Sequence, residues 1–192
     1  MPSVALVLWI SDRSSALDEF EVIHKAIGHT GAGTRNARQQ INQAYVLMLS
    51  GQFQGFCRDL HTEGVDHLAR CIQPRSVQPL MTAEFQFARK LDSGNPTSGN
   101  VGSDFNRFGL KFWNAVLSHQ PALTKHQAAL AEMNEWRNAI AHQSFDAAGL
   151  GGTTVLRHLQ VKAWRKSCDL LAAAFDDVLA NQLTAVTGIR PW

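Results

Sequence analysis

This chain of 192 residues is predicted to be all-α, a single helical bundle of five to six helices, on three observations. Apolar residues recur at intervals of three and four through most of its length, and long alternating runs are absent. The Gly- and Pro-rich breaks fall between the periodic stretches, where helices of a bundle would be joined. Hydrophobic residues make up 45% and charged residues 18%, which excludes a disordered chain. The length suits one domain over residues 1–192, and no internal repeat or linker interrupts it.

Residues 4–10 (VALVLWI) are apolar, but no Lys or Arg precedes them and no small-residue cleavage site follows. They read as a buried strand or a first helical turn rather than a secretory signal. A first full helix starts at Ser14 or Ser15, carries Leu17, Phe20, Ile23, His24 and Ile27, and stops at Gly28 and the HTGAG stretch. A long helix then runs from Thr34 to about Ile72. Its stripe of Ile41, Tyr45, Leu49, Phe53, Phe56, Leu60 and Leu68 is wide enough to bury against two neighbours. Gly51 and Gly55 on this helix mark either a close approach or a surface kink.

Pro74 and Pro79 bracket the entry to a third helix through Leu80, Met81, Phe85, Ala88 and Leu91. Residues 93–103 (SGNPTSGNVGS) read as a long polar loop, mobile or functional. Asp104 is placed to cap a fourth helix with Phe105, Phe108, Phe112 and Val116 inward. A fifth spans about Ala122 to Gln143 on Leu130, Met133, Trp136 and Ile140, and residues 146–152 (DAAGLGG) break it. The last starts at Thr153 or Thr154 and buries Val161, Trp164, Cys168, Leu171, Phe175 and Val178.

No apolar run approaches the roughly 20 residues that span a bilayer, so no membrane association is expected. Cys57, Cys71 and Cys168 are widely spaced and odd in number; they read as buried thiols of a protein in the reducing cytoplasm. The net charge of +2 permits an anionic partner without demanding one.

The residues richest in chemistry lie in NEWRNAIAH, 134–142. With Met133, Trp136 and Ile140 turned to the core, Asn134, Asn138 and His142 follow each other at four-residue spacing and share one polar face. Arg137 and His142 are five apart, hence about 140° apart around the axis, so they flank a stripe rather than share it. A histidine near neutral pKa moves protons to and from hydroxyls. A guanidinium holds a phosphate and stabilises the charge its oxygens gain. Together they suffice for transesterification of an RNA phosphodiester by its own 2′-hydroxyl, without metal or cofactor. The bare Arg-x4-His spacing is unspecific: 12 Arg and 8 His give about 0.5 such pairs by chance.

In context the stretch resembles the HEPN superfamily, whose signature is Arg, a polar residue, a short filler and His; Arg137-Asn138-Ala139-Ile140-Ala141-His142 fits it position by position. The motif precedes the final helix, and AYVLMLSGQFQGFCRDL (44–60) looks like the RiboL-PSP branch, a likeness reaching over about residues 14–187. The resemblance implies a metal-independent endoribonuclease, a toxin or phage-defence effector, working as a homodimer whose two motifs meet in one composite site. It also implies an RNA substrate and, for a toxin, a cognate antitoxin protein. Carried over, Arg137 orients and stabilises the phosphate, His142 is the general acid/base, and Asn138 holds the geometry or contacts the scissile group. Gln54 stands where the branch usually has an acidic residue; Asp59 and Glu63 lie nearby, as accessory groups or as ordinary surface charge. The alternative is a non-catalytic HEPN dimer that binds a partner protein or RNA.

Two other features have bland and functional readings. His158, Lys162 and Arg165 form a cationic strip on the last helix, which either tracks an RNA backbone or is a solvated face. The remaining histidines have no metal-ligand spacing, and the five tryptophans sit mostly at core positions, so neither a metal site nor a stacking platform is expected.

Overall fold

The computed structural model describes residues 1–27 and 32–192. Its helices are α1 (Val4–Leu8), α2 (Ser14–Ala26), α3 (Ala32–Cys71), α4 (Gln78–Gln86), α5 (Ser98–Phe105), α6 (Phe112–His119), α7 (Thr124–His142) and α8 (His158–Thr187). A π-helical turn over Trp9–Arg13 joins α1 to α2, so the two run on as one helix. Among the described residues there is no strand. No described helix is long and apolar enough to cross a membrane.

The 40-residue α3 and the 30-residue α8 form the spine, with α7 packed on both. The predicted stripe of α3 is buried from Tyr45 through Leu60, while Ile41 and Leu68 are half-buried. Phe53 meets Phe175 of α8 with ring centroids 6.0 Å apart, and Trp136 of α7 meets Trp164 of α8 at 6.4 Å. Phe105, Phe112 and Phe175 close one end, with Phe105 stacked on Phe112 at 4.5 Å. Full burial of each such side chain contributes about 1.5–3 kcal/mol, so these rings hold the spine together.

Residues 4–10 take the helical one of their two expected forms, because the Ser3 hydroxyl accepts from the Leu6 amide and the Glu63 carboxylate accepts from the Val4 and Ala5 amides. Several other expectations are corrected. Of the predicted first-helix stripe only Leu17 is buried, and Ile23 is exposed. The predicted Gly28 and HTGAG stop falls largely outside the described residues. The Gly55 face of α3 receives the Arg13 guanidinium at a distance a Cβ would not allow, whereas Gly51 faces open space. Cys57 and Cys168 are buried, and burial pushes both thiols up, but Cys71 is exposed.

Residues 93–103 do not form one long loop. Thr97 caps α5 by accepting from the Asn100 amide, so the second half of the stretch is helical. Asp104 caps nothing ahead of it: fully buried within α5, it accepts from the Lys90 and Leu91 amides of the preceding turn. The predicted fourth helix is split at Gly109, whose φ of +80° an L residue rarely adopts, and Asn106 caps the restart at Phe112. Helix α8 starts at His158 rather than at 153 or 154, because Asn42 of α3 donates to the Leu156 carbonyl and Leu156 is buried.

His61 is fully buried among Phe105 and Phe108, 5.6 and 5.0 Å between ring centroids, and among the described residues neither ring nitrogen makes a well-formed hydrogen bond. Burial, reinforced by the Arg89 and Arg107 charges, holds its pKa down at about 3. The unfolded chain therefore takes up this proton near pH 6.5 and the folded chain near 3. Its contribution to stability is complete above pH 6.5 and is lost as pH falls toward 3, by up to about 1.4 kcal/mol per pH unit. His61→Leu is expected to flatten the fall in urea midpoint between pH 7 and pH 4.5. A variant whose midpoint falls as steeply as the wild type's would contradict this.

Candidate active site

Helix α7 is seated by Leu130, Met133, Trp136 and Ile140, all buried as the sequence predicts. That seating fixes its rotation about its own axis and leaves Glu135, Asn138 and His142 on one outward face. The helix ends at His142 because Gln143 takes the left-handed conformation, φ 52°. The Gln143 amide then donates to the Ile140 carbonyl and the Ser144 amide to that of Ala139, the pattern of a Schellman stop. The chain turns back through Asp146 to Gly152, with Leu150 buried as its anchor and Gly151 and Gly152 at positive φ.

Between this turn and α7 lies an open pocket of about 450 Å³ lined by Glu135, Asn138, Ala139, His142, Ser144 and Asp146, with Gly149 and Leu150. His142 is exposed at its rim. Asn138 is half-buried in its wall, and its Oδ1 accepts from Nδ2 of Asn95 at 2.7 Å and from the Arg137 guanidinium at 3.4 Å. Arg137 is half-buried beside the pocket and does not line it. Among the described residues no carboxylate lies within ion-pair distance of this guanidinium. Asn138 and His142 are thus brought to one cavity, while Arg137 stands to its side, as a 140° separation requires.

Asn134 extends the polar face as predicted but inward. It is buried, and its Nδ2 donates to the carbonyls of Leu130 and of Pro96. Asn134 and Asn138 together hold residues 95–96 against α7.

Sequence reasoning missed three residues of this region. Glu135 is three residues before Asn138 and seven before His142, so helical spacing alone places it on the same face. Asp146 opens the DAAGLGG turn, where its carboxylate accepts from the Ala148 amide. Asn95 has no signal beyond its place in a polar stretch, because its partner lies 43 residues away.

The cationic strip of α8 is used inside the fold. Arg165 contacts Asp18 at 2.7 Å and Glu21 at 3.2 Å and donates to Ser14 Oγ and to the Tyr45 hydroxyl. Lys162 lies 3.4 Å from Glu21, and the His158 ring stacks on His24 at 3.7 Å. These contacts tie α2 to α8 and set the charges of Lys162 and Arg165 beside the carboxylates of Asp18 and Glu21. Asp59 pairs with Arg13, Glu63 caps α1, and Gln54 donates to the Leu91 carbonyl. None of the three lines the α7 pocket. Among the described residues, no group of three His, Cys, Asp or Glu side chains is arranged to hold a metal ion.

Asn134→Ala removes the donor that satisfies the Pro96 carbonyl and leaves a void at a buried site. It is expected to cost about 1–3 kcal/mol, read as a lower melting temperature with faster amide exchange at Thr97. Unchanged exchange at Thr97 would contradict the role given to Asn134 in holding this segment.

No curated protein and no solved structure matches the chain significantly. The family model for RiboL-PSP-HEPN matches residues 11–181, which include every helix from α3 to α7, most of α8 and the whole of the Arg137–His142 motif. With this match over most of its length, the chain belongs to the RiboL-PSP-HEPN family.

Proposed function

We propose that the chain is an endoribonuclease that needs no metal ion, acting as a homodimer in which two α7 motifs meet in one composite site. The observation that carries this reading is that Asn138 and His142 share an open pocket while Arg137 flanks it with no carboxylate partner among the described residues. Membership of a HEPN family supports an RNA-directed function. In the reaction His142 takes the proton of the RNA 2′-hydroxyl, whose oxygen attacks the adjacent phosphorus. The bond to the 5′-oxygen breaks, a protonated imidazole supplies that oxygen with a proton, and a 2′,3′-cyclic phosphate remains. Arg137 stabilises the charge on the non-bridging oxygens. Two chains supply both groups to one phosphate, which one helix cannot do across 140°. The biological setting we favour is a toxin or phage-defence effector restrained by an antitoxin protein.

A second reading rests on the carboxylates. Glu135 and Asp146 both line the pocket, and an acidic wall suits a cationic segment of a partner protein better than a phosphate. On that reading the fold is a non-catalytic HEPN dimer.

The two readings part on incubating wild type and His142→Ala with total RNA and a tRNA pool in EDTA. The ribonuclease reading expects cleavage by the wild type and a loss of at least about 100-fold in the variant. It also expects a species near twice 21.2 kDa in ultracentrifugation. Equal cleavage by both proteins, or a strict monomer at micromolar concentration, would overturn it.

A further inference from the structure

We propose that Asn95 is a positioning residue for the α7 site: it fixes the Asn138 side-chain amide so that its NH2 group faces the pocket as a hydrogen-bond donor to an RNA phosphodiester oxygen. The inference rests on the ribonuclease reading for the nature of the acceptor, but not for the orientation of the amide.

The orientation follows from a chain of donors. A guanidinium has donors only, so the Asn138 atom that faces Arg137 at 3.4 Å must be the carbonyl oxygen. That oxygen also faces Asn95 at 2.7 Å, so Asn95 must present its Nδ2 there. Asn95 is itself held from behind. Asn100 Nδ2 donates to its backbone carbonyl at 2.8 Å, and the Thr97 amide donates to the same carbonyl at 2.8 Å. Gly94 is what lets Asn100 come so close, since a Cβ there would lie 2.6 Å from Asn100 Nδ2. With both acceptor sites of Asn138 Oδ1 occupied, the Nδ2 of Asn138 makes no hydrogen bond within the described chain, and Asn138 lines the pocket.

A carboxamide left alone presents its oxygen or its nitrogen with little preference. The difference matters for an anion: a carbonyl oxygen repels a phosphate, and an NH2 group binds it. The clasp thus converts Asn138 from an ambiguous polar residue into a defined donor one helical turn from His142. It also links Arg137 to the same amide, so that the two cationic or donor groups of the motif are set by one contact from the 95–100 segment.

The test uses the full-length protein with three substitutions. Asn138→Asp keeps both acceptor contacts, and strengthens them by charge, while replacing the donor. Asn95→Asp turns the clasp into an acceptor and so favours the reversed Asn138 amide. Asn95→Ala releases it. Side-chain amide resonances of Asn95 and Asn138, assigned from the Asp variants in 15N-labelled protein, report orientation without any activity. The Asn138 NH2 is expected to exchange rapidly with water in the wild type and to shift on titration with an uncleavable 2′-deoxy oligonucleotide. It should become protected in Asn95→Asp. Single-turnover cleavage in EDTA is expected to fall at least about 10-fold in Asn138→Asp and Asn95→Asp and less in Asn95→Ala, with melting temperatures held. A slowly exchanging Asn138 NH2 in the wild type, or no shift with the oligonucleotide, overturns the proposal. So does wild-type cleavage by Asn138→Asp. If the wild type cleaves no RNA, the ribonuclease reading fails, while the exchange and titration results still decide the orientation and the donor role.

Discussion

The rotation of α7 about its own axis is the constraint on which the site depends. Leu130, Met133, Trp136 and Ile140 are pressed into the core against α8 and α3, and the Trp136 ring meets that of Trp164 at a tilt. Turning α7 by one residue, about 100°, would bury Arg137 and expose Trp136. Burial of this large stripe therefore decides which side chains are left for chemistry. Glu135, Asn138 and His142 face outward because four apolar neighbours face inward. The left-handed Gln143 then ends the helix where the turn over residues 146–152 can fold back and enclose the pocket from the other side.

The segment over residues 93–105 is the second determinant, and it acts across a long stretch of sequence. Buried Asp104 ties it to the turn at Lys90 and Leu91, and Asn95 and Pro96 join it to α7. The segment thus has no need of a hydrophobic stripe of its own at its start; polar contacts with neighbours hold it. Three asparagines make the connection: Asn95 and Asn138 bond to each other, and Asn134 donates to the Pro96 carbonyl.

How much of this was legible in the sequence follows from which forces are local. The core stripes of α3, α7 and α8 were readable because burial imposes a three-four rhythm on the residues themselves. The Arg137–His142 motif was readable because its spacing lies within one helix. Asp104 was misplaced as a cap because its true partners, the Lys90 and Leu91 amides, lie 14 and 13 residues back. The ion pairs of Lys162 and Arg165 were not readable, because their partners Asp18 and Glu21 lie on α2, more than 140 residues away in the chain. Asn95 gave no signal at all: an asparagine in a polar stretch looks the same whether it faces solvent or holds the amide of Asn138, 43 residues away.

In the function we propose, His142 and Arg137 serve a phosphodiester transesterification driven by the substrate's own 2′-hydroxyl. The most direct test is the chemistry of the new RNA ends, with a synthetic substrate carrying one 2′-deoxy nucleotide at the cleaved position. The expected result is a 2′,3′-cyclic phosphate on the all-ribose strand and no cut at the deoxy position. Cleavage that leaves a 3′-hydroxyl, or that proceeds at the deoxy nucleotide, would contradict it.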